Sequence, residues 1–423
     1  MKKSDINKNI ATSKYVAVNA FIFAGSFSIG TIRAGFDLKS VLEISNDQPK
    51  QNAFYFIKNI EDVPVILPIE WENDRYLDNL CKEDIDLMCC NCPCSSLSQI
   101  NRNASVDGKN NVHFYRLFNI FNHVKPKAFV IENAPTLVKL GFPILKDMLS
   151  KLNGSYRFTI LRDKAGNHNV AMCRQRTMVV GWRRDIFKSI PFINECKVKQ
   201  PTVVDVIGDL YRSTTNDHPS ETVDSISCLY PYVKNGFSMM TALAYAYLED
   251  KPGVRNDIES KMSNTNFFKE VQRIANKIEN HQSFWDKSPY RVEDDGYFPS
   301  LTSVTEYLHP HQNRTLNLKE LARIMNYPDE YDFTDKDGQC CIPVTQAIAQ
   351  GVPANFGEYI SSQVKMALDG DLEYRSNENI DVMFRDHLKH KYVEYTYDEF
   401  MNLNCLDVNN EKEKCKELKD TIV

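Results

Sequence analysis

Residues 15–24 read YVAVNAFIFA, an apolar run rich in β-branched and aromatic residues that stops at Gly25. A continuous apolar run of this length, closed by a turn residue, predicts a strand buried on both faces, as in a parallel sheet. Residues 29–35 then read as a short helix. Residues 37–44 read as a second strand ending on an acid, Glu43. Further strands are predicted at 85–90, 128–131, 156–160 and 177–182, with helical periodicity between them at 114–123 and 143–151. Strands alternating with helices predict a doubly wound α/β sheet, whose ligands lie at the carboxyl ends of the strands.

After Arg184 the texture changes. Residues 186–300 are polar, aromatic and irregular, with helical stretches at 241–248 and 267–279. Clear patterning resumes at 316–325 and 344–368. From residue 369 the chain is charge-rich and ends near EKEKCKELKD, which predicts a solvated helix or frayed tail. The predicted units are 1–185, 186–312, a return segment 313–369 that completes the first unit, and a tail 370–423.

With 423 residues, 42% of them hydrophobic, the chain can bury one large core and a smaller second one. The net charge of −5 advertises no global attraction for nucleic acid, so any phosphate contact must come from a local basic surface. The twelve cysteines are clustered rather than spaced as a disulfide framework, which points to reduced thiols and a cytoplasmic protein. Lys2 and Lys3 before the first apolar run imitate a secretory signal. Asp5, Asn7, Asn9 and Asn19 argue against one, and no run reaches the ~18 apolar residues of a membrane span.

Three segments carry candidate chemistry. Residues 86–98 read DLMCCNCPCSSLS: a strand ends near Cys90, and Pro93 fixes the backbone just before Cys94. A cysteine on such a loop is a nucleophile, a small core residue or, in CxC spacing, half of a zinc site. For zinc a second ligand pair is missing, since Cys340 and Cys341 are adjacent and His309 and His311 flank a proline, so no metal is expected. Residues 125–137 read KPKAFVIENAPTL, and an apolar strand delivers Glu132 to the ligand edge, where it can exchange a proton with a heterocycle. Residues 172–182 read MCRQRTMVVGW. Arg174 and Arg176 there are a solvated strand edge or, beside Cys94, a pair favouring its thiolate and holding a substrate oxygen.

In this order the segments resemble the DNA (cytosine-5) methyltransferases across nearly the whole chain outside the middle segment and tail. Phe23-Ala24-Gly25 resembles the cofactor loop of that family, Glu43 the acid that binds the cofactor ribose, and Pro93-Cys94 its nucleophile loop. Glu132-Asn133-Ala134 and Arg174-Gln175-Arg176 resemble two further motifs. RTLNLKELARIMNYPDEY (314–331) and QAIAQGVPANFGEYI (346–360) resemble the closing ones. The resemblance implies a Rossmann-like methyltransferase sheet with a smaller, irregular target-recognition domain, and S-adenosylmethionine as donor. The donor would be held by Phe23, Ala24, Gly25, Glu43, Ile44, Pro93 and Gln350. It implies Cys94, Glu132, Arg174 and Arg176 as the catalytic set, and monomeric action on double-stranded DNA with the target cytosine flipped out. Residues 186–300 would then contact DNA, with Arg255, Arg273, Lys277, Lys287 and Arg291 among Trp285, Tyr290 and Tyr297.

The sequence departs from the family pattern at supporting positions. The cofactor loop is short by two residues, Gly25 running directly into Ser26-Phe27-Ser28, and this implies a reshaped donor pocket. Cys90 and Asn91 stand where the family has glycines, Ser95 and Met172 where it has glutamines, and Gln350 where it has asparagine. Three other readings remain open on sequence: a tRNA-methylating relative, transfer of a modified one-carbon group, and a catalytically silent DNA-binding relative.

Overall fold

The structure is a computed structural model that describes residues 1–44, 53–72, 74–98, 101–196, 198–212, 227–249, 253–262, 266–284, 286, 288–302, 305–335, 343–407 and 416–417. Its strands are β1 (Val16–Ala20), β2 (Asp37–Leu42), β3 (Val65–Ile66), β4 (Leu87–Asn91), β5 (Ala128–Asn133), β6 (Tyr156–Lys164), β7 (Gln175–Arg183), β8 (Tyr290–Arg291), β9 (Tyr307–Leu308), β10 (Val382–Asp386), β11 (Lys391–Tyr395) and β12 (Lys416–Glu417). Ten of them form one sheet in the order β12-β11-β10-β6-β7-β5-β4-β1-β2-β3, and β8 pairs with β9 apart from it. The run from β3 to β5 is parallel, while β7 is antiparallel to both β5 and β6.

The apolar runs become β1, β4 and β5, in which nearly every side chain is buried because helices cover both faces. One face packs on the helices Ser26–Arg33 and Ala354–Asp369, the other on Val112–Val124 and Phe142–Leu152. β1 ends at Ala20 rather than running on to Ala24, because Phe21 and Phe23 take φ of +58° and +50°, which ends the extended backbone. The segment 344–368 divides into two helices, Val344–Ala349 and Ala354–Asp369, separated by a turn in which Gly351 has φ of +88°. Ala354–Asp369 then lies so close to Ser26–Arg33 that a Cβ on Gly30 would come within 2.5 Å of Ala354 O and Glu358 N.

The C-terminal segment corrects the expectation of a solvated helix or frayed tail. β10 is buried along its whole length and adds to β6 in parallel, and β11 pairs antiparallel to β10. Its charges misled the pattern reading because they are buried in pairs. Asp386 is held by Arg162, and His387 Nδ1 lies 2.9 Å from Asp163 Oδ2, which also meets His168 Nε2 at 2.9 Å. Of the EKEKCKELKD stretch only β12 falls within the described residues.

The described residues of 227–279 include the α-helices Met239–Leu248, Val254–Met262 and Asn266–Glu279, around a small core that includes Leu243, Ile258, Val271 and Ile274. Arg291 is buried at its base and donates to Tyr230 O, His309 O, Gln312 O and Asn313 Oδ1, so its place among the DNA contacts gives way to a structural one. Arg255 pairs with Glu259 and Arg273 with Glu270, and Lys277 donates to Ser283 O at 3.2 Å. Trp285 and Lys287 lie outside the described residues.

His309 anchors the same base as a neutral ring. It is fully buried, and its Nδ1 accepts the backbone N–H groups of His311 and Gln312 at 3.0 and 3.1 Å. Burial first, then the cations of Arg314 and Arg291 and the nearby His311, push its pKa from the ordinary 6.5 down to about 3. A depressed pKa means the unfolded state binds the proton more readily. Its contribution to stability is therefore complete above about pH 6.5 and is lost as pH falls toward 3. Thermal melts at pH 7 and pH 5 are expected to show a smaller pH-induced drop for His309→Asn, whose amide oxygen can accept the same N–H groups without titrating. Equal drops in parent and variant would refute this.

Candidate active site

β1, β4 and β5 are adjacent and parallel, so the loops that follow them share one edge of the sheet. Pro93 and Cys94 follow β4 on a loop tied at several points. Asn133 Nδ2 donates to Cys92 O at 3.0 Å, Leu97 N to Cys94 O at 2.9 Å, and Thr136 Oγ1 to Leu97 O. The four crowded cysteines separate cleanly by environment. Cys89, Cys90 and Cys92 are buried, and burial pushes each thiol up, Cys89 to about 12 and the other two well above the ordinary value. Cys94 alone of the four is partly exposed. Among the described residues no group of three or more His, Cys, Asp or Glu is arranged to hold a metal ion.

Glu132 sits on β5 in register with Asn91 of β4. Its carboxylate is buried and is held from two sides. Asn91 Nδ2 donates to Oε2 at 2.9 Å, and Arg176 Nε approaches Oε1 to 2.6 Å as an ion pair. Arg174 is buried and donates through Nη1 to Leu301 O at 2.9 Å, so it braces the segment after β8 rather than the nucleophile loop. Burial and the neighbouring Arg176 cation push Arg174 down to about 9, opposed by the charges of Glu132, Cys94 and Tyr307, and it stays cationic at neutral pH. The structure thus gathers Cys94, Glu132, Arg174 and Arg176 within one electrostatic neighbourhood.

A second group lies beyond β1 and β2. Gly25, with φ of +89°, caps the helix Ser26–Arg33, which begins at once where a longer loop would run. Tyr331 donates its hydroxyl to Ala24 O at 2.6 Å, and a Cβ on Gly351 would stand 3.0 Å from Ser26 Oγ, which sets Gln350 beside the same loop. Glu43 is buried after β2. Its Oε1 accepts from Ile44 N at 2.6 Å and its carbonyl from Trp71 Nε1 at 2.9 Å. Buried Gln350 Oε1 has no hydrogen-bond partner. Phe23, Ala24, Gly25, Glu43, Ile44, Pro93 and Gln350 therefore fall at one end of the sheet, beside the Cys94 loop.

A family model described as C-5 cytosine-specific DNA methylase matches residues 18–366. The chain belongs to this family. It is a DNA (cytosine-5) methyltransferase, and S-adenosylmethionine is the family's methyl donor. The methylase is similar to the type II methyltransferase M.Sau96I of Staphylococcus aureus, 24% identical over 85% of this chain and 77% of that one. It is also similar to M.XorII of Xanthomonas oryzae, 25% identical over 84% of this chain and 85% of that one. Among solved structures, a prophage-encoded E. coli protein named as a DNA modification methyltransferase shares its fold, with a TM-score of 0.55 at 17% identity, covering 84% of this chain and all of that one. The orphaned Gln350 oxygen fits the donor, whose amine and hydroxyl groups can supply the missing hydrogen bond.

Asn133, already part of the Glu132-Asn133-Ala134 motif, tethers the nucleophile loop, whereas the contact of Asn91 with the carboxylate escapes a reading of the sequence as motifs. Only the pairing of β4 with β5 could have revealed it, and strand register is not local information.

Proposed function

We propose that the methylase works through a covalent bond between Cys94 and C6 of a cytosine flipped out of duplex DNA. The observation that carries this reading is the environment of Cys94: it is the partly exposed member of a buried cysteine cluster, beside a held carboxylate and two arginines. Cys94 Sγ adds to C6 while the C5–C6 electron pair shifts to C5, which makes C5 a nucleophile. Charge gathers at ring N3, where Glu132 in its protonated form donates a hydrogen bond to it, and Arg176 faces the O2 side. Arg174 acts through its brace on Leu301. When bound, S-adenosylmethionine would supply an electrophilic methyl group to C5 and depart as the neutral thioether. Backbone at Phe23, Ala24 and Gly25 would hold it, with Glu43, Ile44, Pro93 and Gln350 around it. Loss of the C5 proton to solvent returns its electron pair to the C5–C6 bond and expels the Cys94 thiolate, which restores the ring.

Residues 186–312 read the DNA in this scheme, and 313–369 return the chain to the catalytic unit, 1–185. Flipping the base costs a few kcal/mol, which their contacts must offset. The methylase acts in the cytoplasm as a monomer, a setting that suits its free cysteines.

Labelled S-adenosylmethionine offered with duplex DNA or with tRNA tests the scheme. Label is expected in DNA alone, as 5-methylcytosine. Glu132→Gln is expected to lower kcat by about 10²–10⁴-fold with little change in DNA affinity. Label in tRNA would overturn the duplex assignment, and an unimpaired Glu132→Gln would overturn the role of the carboxylate.

A further inference from the structure

The two contacts on Glu132 differ in kind. Arg176 Nε stands 2.6 Å from Oε1, yet its N–H does not line up with any acceptor, so this is attraction between charges with little angular preference. Asn91 Nδ2, 2.9 Å from Oε2, makes the directed bond. Asn91 and Glu132 are 1% and 4% exposed and face each other across β4 and β5, so both backbones are fixed by the sheet. Only the NH₂ end of the amide can face a carboxylate oxygen, because two acceptors would repel. The other end, Oδ1, is buried with no hydrogen-bond partner. The unpaired acceptor costs the fold free energy, and Asn91 carries it at the edge of the sheet where the reacting groups gather.

We propose that Asn91 is a positioning residue for the methylation reaction, setting the plane of the Glu132 carboxylate against the target ring. The inference rests on the role of Glu132 proposed above. Without the Asn91 amide, the carboxylate turns toward the guanidinium of Arg176 and closes a two-point ion pair with it. The oxygen that should meet the ring is then engaged elsewhere. Binding of DNA is untouched by this change, and the chemical step is slowed.

Asn91→Ala, Asn91→Asp and Glu132→Gln are compared with the parent in single-turnover methylation across pH. Active sites are counted by trapping on duplex DNA containing 5-fluorocytosine, so that any loss of folded enzyme drops out of the rate. Asn91→Ala is expected to lose about 10- to 100-fold in rate per active site, with the KM for DNA nearly unchanged. Asn91→Asp is nearly isosteric, and while the acid pair shares a proton it can donate to Glu132 as the amide does. Its rate should approach the parent at low pH and fall more steeply than the parent as that proton is lost. A purely structural role would leave both the rate per active site and the shape of the pH profile unchanged, and that result would overturn the proposal. If Asn91 variants match the parent while Glu132→Gln is impaired, the Asn91 inference alone fails. If Glu132→Gln also matches the parent, the role of Glu132 fails with it.

Discussion

Cys94→Ser will lose methyl transfer by on the order of 10⁴–10⁶-fold, the scale seen when a covalent nucleophile is removed, and will form no stable adduct with 5-fluorocytosine duplex DNA. Fluorine at C5 cannot leave as a proton, so an adduct made by the parent persists and can be mapped to a peptide. Cys92→Ala is the control. Its thiol is buried and pushed well above the ordinary value by that burial, with the charges of Cys94 and Glu132 adding to the effect. It is thus disfavoured as a thiolate and should be dispensable for the adduct, at the price of a small cavity in the core. An adduct that survives in Cys94→Ser, or maps to Cys92, would reverse the assignment. The serine variant should melt close to the parent, since Cys94 is only partly buried.

Deleting residues 371–423 is the second large effect, and it lies wholly outside the family match, which ends at residue 366. The shortened chain is expected to be insoluble or to lack a cooperative unfolding transition. The deletion strips Val382, Phe384, Val393, Tyr395, Phe400 and Leu406 from the core shared with Phe158, Ile160 and Phe142. Each such side chain contributes roughly 1.5–3 kcal/mol by burial, so their sum rivals the net stability of about 5–15 kcal/mol of a whole domain. It also leaves β6 as an open edge, takes Asp386 from partly buried Arg162 and takes His387 from buried Asp163. A truncated enzyme that melts within a few degrees of the full chain, measured by calorimetry, would reduce the extension to an accessory.

What could be read from sequence divides along a physical line. β1, β4 and β5 were legible because a strand buried on both faces must be apolar at every position. The same runs placed Cys94 and Glu132 at strand exits. β10 was not legible, because VMFRD carries Arg385 and Asp386, and pattern reading puts charges outside. Arg385 lies over the Phe192 ring at 3.8 Å and Asp386 against Arg162, partners far away in the chain. The basic residues of the middle segment failed for the converse reason. Arg291 has the composition of a phosphate ligand and the contacts of a strut, and only the fold tells these apart.

The close seating of Gly30 against Ala354 and Glu358 has a consequence for how the enzyme is born. The helix Ser26–Arg33 leaves the ribosome well before the helix Ala354–Asp369 that packs against it. At about 5–20 residues per second the interval is on the order of tens of seconds. A nascent chain can therefore display its cysteine loop long before these two helices can meet, and contacts between such remote segments make the final closure slow.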